Sequence, residues 1–349
     1  MRSSIVALTL LSTTSLASAD ALDVVASFSI LADMTRVVGG DHVSVTSLVG
    51  PGDDAHVFQP GPTDVVAVTG ADLVITNGLG FEGFLERLIE ASGTQATIIT
   101  ASNGIDVIEV GEDDHSDHDD HDDHDDHAHD DDGHDEHDHD EHAHDDGHDG
   151  HDHDEHAHDD DGHDEHAHEG HDHGPIDPHA WQSLDAAQIY VANIADGLCE
   201  ALPAHCDEFT ANAETYKGEM EALKDAWEAA LADVPMGERT IITSHDAFAY
   251  MARDFGLTIL APQGISTDSE ASAADVAAII DQIRETGANA LFVENLADPR
   301  LIQQIADETG LSVSGTLYTG ALDPEGQAST YLGMMEANLR TLMQAFAAG

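Results

Sequence analysis

Short apolar runs alternate with amphipathic segments near the start of the chain. Four runs have the length and composition of buried strands: LDVVASF (22–28), VSVTSLV (43–49), ADLVITNG (71–78) and ATIIT (96–100). The segments SILADMTRVVGG and FEGFLERLIEAS, which lie between these runs, repeat apolar residues at helical spacing. Strands that alternate with helices predict parallel pairing through crossover helices.

Two longer helices are predicted at 183–202 and 207–232. The second has its apolar and aromatic side chains on one stripe, formed by Phe209, Ala213, Tyr216, Met220, Leu223, Trp227 and Leu231. At about 1.5 Å per residue this helix would be about 39 Å long, which is the width of a whole lobe. It is therefore long enough to join two lobes rather than belong to one.

Alternation resumes after the second long helix. The strand candidates are RTIITS (239–244), LTILAP (257–262), ALFVEN (290–295) and LSVSGTLY (311–318), with helical segments between them and one at the end of the chain. The sequence thus predicts an α/β fold with two lobes, each a mostly parallel sheet flanked by helices. One long helix links the lobes, and a disordered insertion rich in His and Asp interrupts the first.

The first residues, MRSSIVALTLLSTTSLASAD, have the features of a secretory signal peptide. Arg2 gives a positive start, Ile5–Leu16 is apolar, and Ala17–Ala19 forms an Ala-x-Ala site. We expect a mature chain that starts near Asp20 in the periplasm, since no cysteine follows the signal to take a lipid anchor. After a signal peptide at 1–19, we predict an N-terminal lobe made of 20–111 and 174–206, which an insertion at 112–173 interrupts. A linking helix at 207–232 and a C-terminal lobe at 233–349 follow.

Residues 112–173, here called the His/Asp-rich run, begin EDDHSDHDDHDDHDDHAHD. The run contains 21 of the 26 histidines, 31 of the 71 acidic residues and none of the 10 Lys and Arg. Such a composition cannot bury a core, so we expect disorder in the empty state. A solvated linker needs no histidine, whereas repeated His is typical of metal binding. We favour a local reservoir that binds several zinc ions weakly, and a sensing role or a passive spacer stays open.

The chain has a formal net charge of −61, and the His/Asp-rich run accounts for only about half of it. A surface this acidic repels nucleic acid and anionic lipid and attracts cations. The two cysteines, Cys199 and Cys206, lie on either side of a turn that contains proline. An oxidising compartment favours a disulfide that closes this turn, and two free thiols are the alternative.

Five histidines lie outside the run. Three occupy predicted loops: His56 in GPGDDAHVFQP, His179 in GPIDPHAW and His245 in IITSHDAFAY. The other two, His42 and His205, have surface-like neighbours and are interpreted as ordinary solvated histidines. Three imidazoles suit Zn²⁺ and leave one position for a carboxylate or water. Because the three loop histidines are far apart in sequence, only the fold can bring them together.

Several motifs carry a resemblance to a known family. SILADMTRVVGGDHVSVTSLVGPGDDAHVFQPGPTDV, ITNGLGFEGFLERL, DPHAWQSL, TSHDAFAYMARDFGL, LFVENLADPRLIQQIADETG and TYLGMMEANLRTL resemble the zinc/manganese group (cluster A-I) of ABC-transporter solute-binding proteins, the ZnuA-type and AztC-type proteins. The resemblance implies two α/β lobes joined by one rigid helix, with the metal in the cleft on His56, His179 and His245. It also implies an ABC permease and ATPase as partners. A periplasmic metallochaperone is a further candidate partner, and we expect a monomer.

The fourth metal ligand is where the sequence departs from the family pattern. Many members have an Asp in a YTD or YSD motif, whereas this chain has LYTGALDPEG with Gly320 at that place. Asp323 follows three residues later and is the candidate fourth ligand, with water as the alternative. Glu294 is a second acidic candidate, and we interpret it as a brace for the cleft or for a ligand.

Ligand softness favours Zn²⁺ over Mn²⁺, because Mn²⁺ prefers more oxygen ligands. The leading hypothesis is a periplasmic binding protein that delivers zinc to an ABC permease. A periplasmic zinc buffer or chaperone is one alternative and a zinc hydrolase another. The sequence lacks HExxH and G-x-S-x-G motifs, so we expect a protein that is not an enzyme and whose metal is cargo.

Overall fold

The computed structural model describes residues 21–110 and 176–347. The predicted signal peptide and the His/Asp-rich run lie outside these residues. Among the described helices, none combines enough length with enough apolar surface to cross a bilayer.

Two four-stranded parallel sheets form the framework of the described residues. The first sheet has the spatial order β2 (Val43–Val49), β1 (Leu22–Phe28), β3 (Leu73–Thr76) and β4 (Thr97–Thr100). The second has the order β6 (Thr258–Leu260), β5 (Thr240–Ile242), β7 (Ala290–Glu294) and β8 (Val313–Leu317). All eight strands fall within the runs predicted from the sequence, and the predicted fold class is confirmed.

Helices connect and cover these strands. In chain order they are α1 (Ser29–Gly39), α2 (Pro62–Gly70), α3 (Leu85–Ser92), α4 (Leu184–Ala201), α5 (Cys206–Leu231), α6 (Ala249–Phe255), α7 (Ala273–Thr286), α8 (Pro299–Thr309) and α9 (Tyr331–Phe346). The apolar pattern did not predict α2, which buries only Val68. Proline at its first position and a carboxylate of Asp64 that accepts the Gly61 N–H at 2.7 Å define its start.

Helix α5 contacts elements of both lobes. It packs against α1 and α4 beside the first sheet, and against α6 and α9 beside the second. All seven residues of the predicted stripe are buried in it. Its 26 residues give a length of about 39 Å, so it reaches across both lobes, as the sequence predicted.

A disulfide joins Cys199 at the end of α4 to Cys206 at the first position of α5. Of the two alternatives that the sequence left open, the structure has the bonded one, and no described cysteine is free. The bond connects two helices that pack along each other, so it fixes the turn between them.

The segment that precedes α4 is hydrogen-bonded to the second lobe. The indole N–H of Trp181 donates to the Thr319 carbonyl at 2.7 Å, and the Tyr331 hydroxyl donates to the Trp181 carbonyl at 2.8 Å. The Tyr250 hydroxyl donates to the carbonyl of Asp177 at 2.8 Å. Because Trp181 and both tyrosines are buried, these bonds are shielded from water and position the segment between the lobes.

Candidate metal centre

His56 lies in the loop that follows the carboxyl end of β2. The loop turns at Gly52, whose φ of 80° favours glycine, and the N–H of Gly52 donates to the Leu322 carbonyl of the other lobe at 2.9 Å. The backbone N–H of His56 donates to Oδ1 of Asp54 at 2.9 Å. Oδ2 of Asp54 in turn accepts a hydrogen bond from the Thr267 hydroxyl at 2.6 Å. The loop is therefore held from both lobes.

His179 lies in the segment that leads into α4. One oxygen of Asp177 accepts two hydrogen bonds from it, from the backbone N–H at 2.9 Å and from ring Nδ1 at 2.8 Å. Both side chains are almost fully buried. The hydrogen bond at Nδ1 turns Nε2 away from Asp177, toward the Nε2 atom of His56.

His245 follows β5 at the carboxyl end of the second sheet, next to Glu294 at the end of β7. Oε1 of Glu294 accepts the backbone N–H of His245 at 2.9 Å, and also the N–H and hydroxyl of Ser244 at 2.7 and 2.8 Å. Its other oxygen contacts Nδ1 of His245. The carboxylate thus lies behind the imidazole and leaves Nε2 for a ligand.

The charges of this pair shift both pKa values. Burial raises the pKa of Glu294, but the charge of His245 and the hydrogen bonds from His245 and Ser244 outweigh it, so that pKa falls below its usual value. Burial lowers the pKa of His245, but the Glu294 carboxylate and two further carboxylates nearby outweigh it, so that pKa is raised. A carboxylate that holds Nδ1 in this way makes the imidazole a stronger metal donor.

The three loop histidines meet at one point. Nε2 of His56 lies 3.2 Å from Nε2 of His179. One donor atom of each ring, that of His245 included, lies within 4.8 Å of the others. Tetrahedral Zn²⁺ with bonds of about 2.0–2.1 Å places its ligand atoms about 3.3 Å apart. The His56–His179 pair is therefore at ligand spacing, and the donor atom of His245 lies within 4.8 Å of both.

Aromatic side chains line the side of the site in the first lobe. The ring of Phe81 lies 5.0 Å from that of His56 and 4.7 Å from that of Trp181, and the ring of Phe28 lies 4.9 Å from that of Trp181. All three aromatic residues are fully buried. This apolar wall borders the three histidines on one side, and the half-buried His56 is the most accessible of them.

The carboxylate of Asp323 is not among the donor atoms gathered here. Its Oδ2 accepts a hydrogen bond from the Tyr318 hydroxyl at 2.8 Å, and its N–H donates to the Ala328 carbonyl at 3.0 Å. Glu294 is bonded to the backbone N–H and contacts ring Nδ1 of His245, and its carboxylate is not in the group either. Within the described residues, the donor set at this point therefore consists of three imidazoles.

Two acidic residues beside the histidines were not identified from the sequence. Asp177 positions His179, and its only signal was its place two residues before that histidine in DPHAW. Asp246 follows His245, and burial together with the negative charges of Asp177 and Glu294 raises its pKa. An adjacent Asp carries little information by itself in a chain with 71 acidic residues, so only the packing reveals these two.

Comparisons with known proteins show the family of this chain. The model of the family described as zinc-uptake complex component A periplasmic (ZnuA) matches residues 24–345. The manganese-binding lipoprotein MntA of Bacillus subtilis (strain 168) is 28% identical over 334 residues, which cover 93% of this chain and 89% of that protein. The Mn-bound periplasmic metal-binding protein from Candidatus Liberibacter asiaticus superposes with a TM-score of 0.69 at 25% identity, over 93% of this chain and 98% of that one.

A further solved structure supports the fold alone. The periplasmic zinc-binding protein TroA from Treponema pallidum has a TM-score of 0.73 at 22% identity, over 94% of this chain and 99% of that one. The family model spans nearly the whole of the described chain. This chain belongs to the ZnuA family, whose members are metal-binding solute-binding proteins of ABC transporters and not enzymes.

Proposed function

We propose that this protein captures Zn²⁺ between its lobes and delivers it to an ABC permease. The observation that supports the proposal is the convergence of the donor atoms of His56, His179 and His245 within 4.8 Å. The histidines come from three separate segments, two in the first lobe and one in the second. An ion bound to all three would therefore hold the lobes together.

The proposal of zinc over manganese depends on the ligand set. The relatives include proteins named for manganese and for zinc, so kinship alone does not decide the cargo. Three imidazoles suit Zn²⁺, whereas Mn²⁺ prefers carboxylate and other oxygen ligands. The nearby carboxylates of Asp177 and Glu294 lie behind their histidines and act on ring orientation rather than as ligands.

Asp323 is our proposed fourth ligand. Its carboxylate is partly exposed and is bound by one hydroxyl, that of Tyr318. The neighbouring Leu322 carbonyl already accepts a hydrogen bond from the His56 loop through Gly52, so this turn lies against the first lobe. The positive charge of an ion in the site would attract the carboxylate and favour exchange of this hydrogen bond for a metal bond. Water takes the position if the carboxylate stays on Tyr318.

The His/Asp-rich run is proposed to concentrate zinc next to the cleft. The run ends a few residues before His179, and the residues that flank it are paired, with an antiparallel bridge between Glu109 and Ile176. Neutral imidazoles bind zinc and the carboxylates attract it, so ions bound weakly in the run would exchange rapidly with the tight site.

The proposed location and partners of the protein follow from its proposed role in zinc transport. A signal peptide at 1–19 would place the mature protein in the periplasm, where it would act as a monomer. Its partners would be the permease and ATPase of the transporter, and a periplasmic metallochaperone is a further candidate donor of zinc. Export would also provide the oxidising conditions in which Cys199 and Cys206 stay paired.

A fluorescence experiment tests the cargo in the full chain. The ring of Trp181 lies 5.2 Å from that of His179, whereas the other tryptophan, Trp227 of the long helix, stacks on Phe255 of α6. In a Trp227→Phe background, emission should respond to the first equivalent of Zn²⁺. Manganese should need a concentration roughly 100-fold higher to reproduce that response.

The same background tests the ligands. His245→Ala should weaken the zinc response by orders of magnitude, and Thr258→Ala, an exposed change on the neighbouring strand β6, is the matched control. Equal or tighter binding of manganese would overturn the choice of cargo. An unchanged zinc affinity in His245→Ala would overturn the site. Delivery is tested separately, by stimulation of ATP hydrolysis in proteoliposomes that contain the permease and ATPase of the same organism.

A further inference from the structure

The two histidines interpreted from sequence as ordinary surface residues form a second cluster. His42 and His205 stack with ring centroids 3.7 Å apart, although 162 intervening residues separate them. Nε2 of His42 lies 2.8 Å from Oε2 of Glu208, and Nδ1 of His205 lies 3.5 Å from Oε1 of the same carboxylate. One donor atom from each of the three side chains lies within 4.8 Å of the others.

We propose that His42, His205 and Glu208 form a second site for a divalent cation of the borderline class, such as Zn²⁺. Two imidazoles and one carboxylate are a ligand set that zinc takes, with water in the fourth position. The two donor separations of 2.8 and 3.5 Å bracket the value of about 3.3 Å that tetrahedral zinc requires. An ion would replace the proton that now links His42 to Glu208.

The hydrogen bonding of His205 supports this assignment. Among the described residues, buried Nδ1 of this ring has no hydrogen-bond partner of good geometry, although it points toward the Glu208 carboxylate. Buried polar atoms are normally satisfied, so an atom in this state needs an explanation. A metal ion between the ring and the carboxylate would satisfy it.

The surrounding backbone holds the three ligands in place. His205 precedes Cys206, which is bonded to Cys199 of the neighbouring helix. The side chain of Asn212 donates to the Val38 carbonyl at 3.0 Å and so ties the long helix to the end of α1, just before His42. Ligands on a fixed scaffold lose little entropy when an ion binds, which favours a preorganised site.

The second cluster is separate from the cleft. His42 directly precedes β2, and His56 lies beyond the other end of that strand. The seven residues of β2, at about 3.3 Å each, separate the strand end next to His42 from the end where the His56 loop begins by about 20 Å. The side chains of His42 and His205 are about one quarter exposed, so solvent reaches this cluster. An ion here would link the α1–β2 turn to the first turn of α5.

Site-resolved chemical modification of the full chain tests the proposal. Diethylpyrocarbonate modifies neutral imidazoles, and cleavage at acidic residues places His42 and His205 in short peptides apart from the His/Asp-rich run. Buffered zinc should reduce the modification of both histidines together, at least about fivefold at saturation. Glu208→Gln should raise the zinc concentration for half protection about tenfold, since it removes a charged ligand.

The matched control is Glu214→Gln, an exposed change on the same helix that should leave the protection unchanged. The proposal would be overturned if millimolar zinc left the modification unchanged, or if zinc protected Glu208→Gln as well as it protects the wild type. The three side chains would then be a hydrogen-bonded surface cluster without a metal. Anomalous diffraction from zinc-soaked crystals gives an independent answer. A peak between His42 and His205 supports the site, and an occupied cleft without such a peak contradicts it.

Discussion

Oδ1 of Asp177 lies 2.8 Å from Nδ1 of His179 and accepts the backbone N–H of the same residue at 2.9 Å. A single carboxylate oxygen thus fixes the tautomer, the ring orientation and the local backbone of one proposed ligand. The Glu294 carboxylate holds His245 in a comparable way from the second lobe. Each lobe therefore supplies at least one imidazole that is oriented before an ion arrives.

The first prediction concerns this arrangement. Asp177→Asn should lower zinc affinity about 10- to 100-fold, because partners behind metal-bound histidines typically contribute that much. Zinc titration in the Trp227→Phe background measures the change. Asp185→Asn is the matched control, since the Asp185 carboxylate is half exposed and pairs with Lys224. An Asp177→Asn protein that binds zinc as tightly as the control would show that this carboxylate does not support the site.

The second prediction concerns Asp323. Asp323→Ala should weaken zinc binding less than His245→Ala, because a carboxylate that must first leave Tyr318 competes with water for the fourth position. Tyr318→Phe removes the competing hydroxyl and should strengthen binding slightly. A loss in Asp323→Ala as large as that in His245→Ala would make the carboxylate a full ligand. No effect of either change would assign the fourth position to water.

The third prediction separates transport from storage. Deletion of 112–173 should lower the zinc stoichiometry by several ions and leave the tight site with its affinity intact. A short Gly/Ser linker can replace the deleted run, because the flanking residues Glu109 and Ile176 already form an antiparallel bridge with each other. Equilibrium dialysis with a zinc chelator measures both quantities.

A second variant serves as the control for this deletion. Replacement of the 21 histidines of the run by serine keeps its length and its acidic residues. Its zinc stoichiometry should match that of the deletion variant if imidazoles bind the ions, and that of the wild type if carboxylates bind them. Loss of the tight site on deletion would favour a pure buffer, and an unchanged stoichiometry would reduce the run to a spacer.

The fourth prediction concerns Asp33, a partly buried acid between the lobes. Oδ2 of Asp33 on α1 accepts the backbone N–H of Tyr331 at the start of α9, at 2.8 Å. Burial raises the pKa of Asp33 above its usual value and outweighs the hydrogen bonds and the Arg36 charge that lower it. The folded state therefore favours the protonated acid, and the ionised group reduces stability once the pH exceeds the unfolded pKa of about 3.9.

Asp33→Asn keeps an acceptor oxygen and removes the charge. With a chelator present to remove metal ions, Asp33→Asn should raise the free energy of unfolding at pH 7. This gain in stability should shrink as the pH falls toward 4. Urea unfolding at several pH values measures it. The exposed change Asp225→Asn should alter stability by no more than about 0.5 kcal/mol at any pH. A loss of stability in Asp33→Asn that does not depend on pH would show that the hydrogen bond, rather than the charge, dominates.

The amino-acid sequence by itself determined the elements and their class. Periodicity predicted all eight strands and the stripe of α5, because residues two, three or four positions apart report the face that an element buries. It did not predict α2, where a single buried residue leaves no period to detect. The motifs also identified His56, His179 and His245 as a set.

Only the tertiary structure decided how side chains from remote segments meet. It placed the first two loop histidines 3.2 Å apart, put Asp177 and Glu294 behind their rings and turned Asp323 toward Tyr318. It also brought together His42 and His205, which sequence neighbours had marked as ordinary surface. These contacts depend on how helices and sheets pack over long sequence separations, and a local pattern of apolar and polar residues does not contain that information.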